Sequence, residues 1–215
     1  MKPKLTQYEQ QEHLLIAEMV HEQATVLDLG CGNGELLELL RERKDVNGQG
    51  IEIDDEAIYR CVQKGLTVFH SDIESGLGEY PDKTFDYVIM NQCIQEIFEI
   101  DLLISESLRV GREVILSFSN FAYIQARLEL FFFGKSPATV ALPYSWYNTP
   151  NIHFLSIKDF REYCTLKKIS ILREIYLTNW GQTRFWPNLL ATNAIFKITR
   201  NDKHGHISHI SGDGI

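Results

Sequence analysis

With 215 residues and 44% hydrophobic content, the chain can bury one domain-sized core without disulfide or metal staples. A net charge of −8 and a sequence pI near 5.4 argue against a nucleic-acid or anionic-membrane surface. No apolar run reaches the roughly 18 residues of a membrane span, and the polar stretch 1–12 does not read as a signal peptide. The cysteines (Cys31, Cys61, Cys93, Cys164) form no C-x-x-C pair, which points to reduced thiols in a cytoplasmic protein and to no metal centre.

Residues 5–21 read as a leading amphipathic helix. Residues 26–34 then run Val-Leu-Asp-Leu-Gly-Cys-Gly-Asn-Gly, an apolar strand entering three alternating glycines, Gly30, Gly32 and Gly34. A leucine-rich helix over 35–43 follows at once. Glycines here let the backbone turn sharply and approach a ligand, and the helix start offers unpaired N–H groups. Asp28, just before the turn, suits a cationic or amino-acid-like group. Cys31 reads as a small loop residue rather than a nucleophile. The spacing is Asp-x-Gly-x-Gly-x-Gly, not the dinucleotide G-x-G-x-x-G, and no P-loop is present. It resembles the first motif of class I S-adenosylmethionine (SAM)-dependent methyltransferases, which implies SAM or S-adenosylhomocysteine as ligand.

A second strand over 46–53 ends in Glu52 and Ile53. An acid about 20 residues past the glycine loop is where doubly wound folds hold a ribose diol, and two carboxylate oxygens can take both hydroxyls. Residues 54–64 read as a helix with Asp54 as its N-cap. A third strand, 66–70, precedes Asp72 and Ile73. Asp72 either accepts from an adenine amino group, with Ile73 flanking the ring, or caps a helix.

Strand four covers 84–91, ending in Asn91. One or two helices lie in 95–109, and strand five is 112–119. Such repeated strand–helix units imply a mostly parallel sheet covered by helices on both faces, an α/β Rossmann-like architecture. Asp28, Glu52, Asp72 and Asn91 all fall at carboxyl ends of strands, where open α/β sheets bind ligands. Residues 156–164 form another helix, and 169–178 with 191–199 are a candidate closing antiparallel pair. We expect one domain over 1–200, and a disordered polar tail over 201–215 carrying His204, His206 and His209.

Residues 120–153 stand apart from this scaffold as an insert after strand five. Residues 121–133 read as an aromatic-rich helix. Three prolines restrict 134–153, and Tyr144, Trp146 and Tyr147 suit either an interface or a lid on their own domain. The string Leu-Pro-Tyr-Ser-Trp-Tyr-Asn-Thr-Pro-Asn-Ile-His over 142–153, together with the glycine motif and Trp-Pro-Asn-Leu-Leu-Ala over 186–191, resembles the MetW family of methionine biosynthesis. The resemblance implies a seven-stranded class I methyltransferase fold and a partner, homoserine O-acyltransferase, whose activity the family supports through a hetero-oligomer. Residues 121–133 and 142–153 are the expected contact. Asn33 and Asn148 stand where the family usually has Asp, and Ser136 where Met is common; Asn33 removes a loop charge.

Methyl transfer needs alignment and often a base near the acceptor. No acid/base pair stands out, so no catalytic residue is assigned. Asn91-Gln92-Cys93-Ile94 lacks the Asn/Asp-Pro-Pro-aromatic pattern of methyltransferases acting on nucleic-acid amino groups. His153, Tyr144 and Tyr147 are the available bases, with His153 reading better as a lid or core histidine. No G-x-S-x-G is present, so acyl transfer belongs to the partner. Three roles follow: an accessory subunit of the acyltransferase, a free-standing methyltransferase for a small molecule, or a SAM sensor.

Overall fold

The computed structural model describes residues 6–75, 77–139 and 142–201. The tail expected to be disordered, with its three histidines, lies outside the described residues except for Asn201. No described helix is long and apolar enough to cross a membrane.

Eight strands form one sheet: β1 Thr25–Leu29, β2 Asn47–Glu52, β3 Thr67–His70, β4 Phe85–Asn91, β5 Gly111–Ser119, β6 Ile169–Thr178, β7 Gly181–Gln182 and β8 Asn193–Arg200. Their order is β3-β2-β1-β4-β5-β8-β6-β7. The first five are mutually parallel, and β8 pairs antiparallel with both β5 and β6. The expected seven strands become eight because a hairpin follows β6. Thr178 Oγ1 accepts from Trp180 N (3.1 Å) and donates to Gly181 O (2.9 Å), and Gly181 at φ +130° lets the chain fold back. The two residues of β7 are too few to leave a strand pattern in sequence.

Helices α1 Gln7–Ala17, α2 Glu35–Lys44 and α3 Asp55–Gln63 alternate with the first strands, followed by α4 Ile100–Val110, α5 Ile124–Phe133, α6 Ile157–Leu166 and α7 Pro187–Leu190. Alternation along each strand divides the apolar residues between two layers. Val26, Ile89, Ile115 and Ile195 pack with Leu15 and Ile16 of α1 and Leu36, Leu37 and Leu40 of α2. Their neighbours Leu27, Met90, Leu116 and Phe196 face the other way, onto Leu103, Ile104 and Leu108 of α4 and Ile157 and Phe160 of α6.

Helix α1 is shorter than the expected 5–21. Thr6 and Glu9 close a capping box at its start, with Thr6 Oγ1 accepting from Glu9 N at 3.2 Å and Glu9 Oε2 from Thr6 N at 2.7 Å. Beyond Ala17 the bonds tighten to Met19 N→Ile16 O and Val20 N→Ala17 O, which winds the helix down before His21. Asp54 caps α3 as expected, accepting from Glu56 N at 2.8 Å. A 3₁₀ turn, Ile94–Glu96, precedes α4.

Candidate functional site

Strand β1 ends in the glycine loop, and the end of β2 holds that loop in place. Gly30 N and Cys31 N both donate to Ile51 O, at 2.9 and 3.1 Å. Glu52 completes the anchor: Oε2 accepts from Gly32 N (2.8 Å), and Oε1 from Ile53 N (2.8 Å) and Asp54 N (2.9 Å). Three of the roughly four acceptor sites of its carboxylate are therefore used within the protein. The reading of Glu52 as an acid free for two ribose hydroxyls is narrowed to one open site, because its first task is to hold the loop.

Gly34 closes the turn and starts α2 at φ +76°, a left-handed conformation costly for any other residue. A Cβ there would run into Leu66 Cδ1 and lie 2.9 Å from Cys61 Sγ. Gly34→Ala combines about 1–2 kcal/mol of backbone strain with about 1–3 kcal/mol of overpacking. We expect the thermal midpoint to fall by roughly 5–15 °C, followed by circular dichroism. An unchanged midpoint would show that the loop relaxes freely.

The carboxyl ends of the first four parallel strands enclose a cavity of about 340 Å³. Of the residues singled out in sequence, Gly30, Glu52, Ile53, Asp72, Ile73 and Asn91 line it. Cys31, Gly32 and Gly34 do not; they shape the loop behind it. Asp72 caps no helix. Its Oδ1 accepts from Glu74 N at 3.0 Å across a turn, which leaves its side chain at the cavity wall. Asn91 Oδ1 accepts from Ser117 Oγ (2.7 Å), and its Nδ2 lies 3.2 Å from His13 Nε2. Burial lowers the His13 pKa, so the neutral ring accepts from the Asn91 amide.

Asp28 is 2% exposed, and its Oδ1 has no hydrogen-bond partner. Burial, then the neighbouring Glu52 carboxylate, pushes its pKa up to about 8. Asp28 in turn helps raise the Cys31 and Cys93 thiols, whose burial is the larger cause. Neither cysteine is a thiolate nucleophile at neutral pH.

Sequence reading missed Ser71, Gln92, Cys93, Glu96 and Ile97 on the cavity wall. Their signal was position alone: each follows the end of β3 or β4. It also missed a second cavity of about 550 Å³, which shares Gln92 and Glu96 with the first. Its wall holds Glu12 of α1, whose Oε1 accepts from Gln92 Nε2 at 2.7 Å. Burial raises the Glu12 pKa, against hydrogen bonds from Gln92, Ser117 and Asn193. Of the candidate bases, Tyr144 lines this second cavity. His153 lines neither; its main chain is tied to Gln95, with N donating to Gln95 O at 3.0 Å. Tyr147 is exposed.

The inserted segment presents apolar surface. Among the residues of α5 only Ala126 is buried, while Leu128, Leu130, Phe131, Phe132 and Phe133 are exposed. Trp146 and Tyr147 stand exposed as an edge-to-face pair with centroids 5.7 Å apart. Trp180, Phe185 and Trp186 add exposed aromatics that sequence reading did not place on a surface.

Residues 10–198 match the family described as methionine biosynthesis protein MetW. The chain is a member of the MetW family. A relative from Rhodopirellula baltica, the bifunctional methionine biosynthesis protein MetXA/MetW, is 35% identical over 87% of this chain. The chain spans about a third of that relative's length, 32%. Both matches tie this MetW chain to methionine biosynthesis. Solved structures share its fold at low identity. The putative methyltransferase from a complex with the Haloferax volcanii Trm112 methyltransferase activator is 13% identical, with a TM-score of 0.64 over 89% of this chain and 90% of its own. A SAM-dependent methyltransferase from Thermotoga maritima, a possible histamine N-methyltransferase, is 12% identical, with a TM-score of 0.62 over 90% and 89%. A SAM-dependent methyltransferase from Archaeoglobus fulgidus is 14% identical, with a TM-score of 0.62 over 90% and 92%. The MetW chain therefore has the Rossmann-like class I methyltransferase fold.

Proposed function

We propose that this MetW chain binds SAM or S-adenosylhomocysteine in the 340 Å³ cavity and acts in the cytoplasm as an accessory, activating partner of homoserine O-acyltransferase. The observation that carries the partner role is the bifunctional MetXA/MetW relative, whose name joins two activities in one polypeptide. We read MetXA as its acyltransferase half. A covalent link replaces association by a high effective concentration, so separate chains with the same roles need a docking surface. The exposed aromatics of α5 and the 142–153 segment are the surface this chain offers.

The cavity suits the nucleotide residue by residue. Gly30 permits close backbone approach, Ile73 gives an apolar flank for a ring, and Asp72 offers carboxylate oxygens for an amino group. Glu52 keeps one acceptor site for a ribose hydroxyl while holding Gly32 N–H. Asp28 does not line the cavity: it lies enclosed beneath the loop, and its unpartnered Oδ1 becomes an acceptor for the ligand's ammonium group when the loop shifts.

Glu52→Gln tests the cofactor reading. The variant keeps the shape but loses the charge and half of the acceptor capacity. A lost charge-assisted hydrogen bond is worth about 1.5–3 kcal/mol, so S-adenosylhomocysteine should bind roughly 10- to 150-fold more weakly by calorimetry. Unchanged affinity in a folded sample would remove Glu52 from the site, and no binding to the unmutated chain would remove the cofactor.

A further inference from the structure

The second cavity has a polar floor whose hydrogen-bond donors are already committed. Ser119 Oγ donates to Gln92 Oε1 (3.3 Å), and Gln92 Nε2 donates to Glu12 Oε1 (2.7 Å). Thr192 Oγ1 donates to Leu177 O (3.0 Å), so the Tyr8 hydroxyl, 2.9 Å from Thr192 Oγ1, donates to it. Asn193 also hydrogen-bonds the Glu12 carboxylate.

On this floor what remains is acceptor capacity, while Asn151, Asn179 and the Tyr144 hydroxyl stand elsewhere on the wall. Asn193 is 5% exposed and lines the cavity, yet its buried Oδ1 has no partner. Glu12, 2% exposed, contributes a carboxylate, and Glu9 and Glu96 add two more at the wall. No Lys, Arg or His is among the described residues lining the cavity. Tyr144 adds an aromatic ring to the same wall. A carboxylate and an amide oxygen with an aromatic ring beside them match an alkylammonium group, which brings three N–H donors, positive charge and attraction to a ring face. An anion would meet three carboxylates, and burial disfavours a bare Glu12 carboxylate, so a cation that compensates it gains over a neutral hydroxyl compound.

We propose that this cavity is a binding site for a small primary amine, held by the Glu12 carboxylate and Asn193 Oδ1. Its bound position adjoins the nucleotide cavity, because Gln92 and Glu96 belong to both walls. The inference goes beyond the nucleotide reading and stands without it.

The test titrates the full chain, free of nucleotide, with 3-amino-1-propanol, 1,3-propanediol and 3-hydroxypropanoate. These share a three-carbon chain and differ in carrying a terminal ammonium, hydroxyl or carboxylate. Binding is followed by NMR shifts at Glu12, Gln92 and Asn193. The amine should shift these signals saturably and bind at least tenfold more tightly than the diol, with no binding of the acid. Glu12→Gln should weaken the amine at least tenfold. No saturable shift with the amine, equal affinity for amine and diol, or unchanged amine affinity in a folded Glu12→Gln would each overturn the proposal. The comparison on the unmutated chain decides even where Glu12→Gln does not fold. S-adenosylhomocysteine titrated into the same sample reports the neighbouring cavity separately, so failure of one site is distinguishable from failure of the other.

Discussion

Asp28→Asn is expected to stabilise the ligand-free protein by about 4 kcal/mol at pH 7 and to flatten its stability across pH 4–8. The cause is burial. Asp28 sits at the end of β1, almost fully enclosed and near Glu52, which pushes its pKa up to about 8. In the unfolded chain the same carboxyl titrates near 4. Between these values the folded state holds a proton that the unfolded state has released, so stability falls as pH rises through that window. Below it Asp28 is protonated in both states and imposes no penalty; above pH 8 the full penalty remains. Asn is neutral and nearly isosteric, so it keeps the low-pH condition at every pH. Urea midpoints of both proteins at pH 5, 7 and 8.5 should diverge as pH rises. A constant difference, or an Asp28→Asn variant less stable than the unmutated chain at pH 8.5, would refute this account of the burial. The same variant should bind S-adenosylhomocysteine more weakly, since Asn cannot release a proton to give the carboxylate that pairs with the ligand's ammonium. Stability gained and binding lost together are the usual signature of a strained functional group.

Removing two aromatics should separate this chain from the acyltransferase proposed as its partner, without unfolding it. Trp146 is 76% exposed and Phe131 of α5 is 81% exposed, so truncating either leaves no core cavity. Anchoring aromatics at an interface centre each contribute about 2 kcal/mol or more. Trp146→Ala with Phe131→Ala should therefore weaken binding to homoserine O-acyltransferase by about 4 kcal/mol, roughly a thousandfold. The readouts are pull-down of the acyltransferase, its acyl-transfer rate with and without the added chain, and the thermal midpoint of the variant. Lost pull-down and lost stimulation at a near-normal midpoint support the surface. Full pull-down by the double variant would place the contact elsewhere, with the exposed Trp180 and Trp186 as the next aromatics to replace.

The exposure of these residues bears on two readings that the sequence leaves open. Prolines and aromatics over 142–153 suit a lid as well as an interface, because both need apolar side chains on a restricted backbone. Only the packing shows that Trp146 and Tyr147 face outward while Leu142 is buried and Tyr144 turns to a cavity.

What the sequence determined by itself is the local and periodic part of the structure. The run from Val26 to Gly34 announced a strand, a glycine turn and a helix, because positive-φ positions and apolar strands are written within a few residues. Asp54 announced the start of α3 in the same way. Apolar strands alternating with helices implied the parallel sheet, and the ends of those strands placed Glu52, Asp72 and Asn91 around one cavity. The tertiary structure decided everything that depends on residues distant in the chain. Glu52 proved to anchor the loop through one of its three hydrogen bonds, because Gly32 comes within reach only when β1 and β2 pair. Glu12, an acid in a leading helix with no sequence signal, became the floor of a second cavity when α1 packed across β4 and β8 and met Gln92 and Asn193. Strand β7 arose from a hairpin held by Thr178. These contacts span from a few residues to nearly the whole chain, and the longest have no periodicity to betray them: side-chain chemistry is local to the sequence, whereas burial and partnership are properties of the folded molecule.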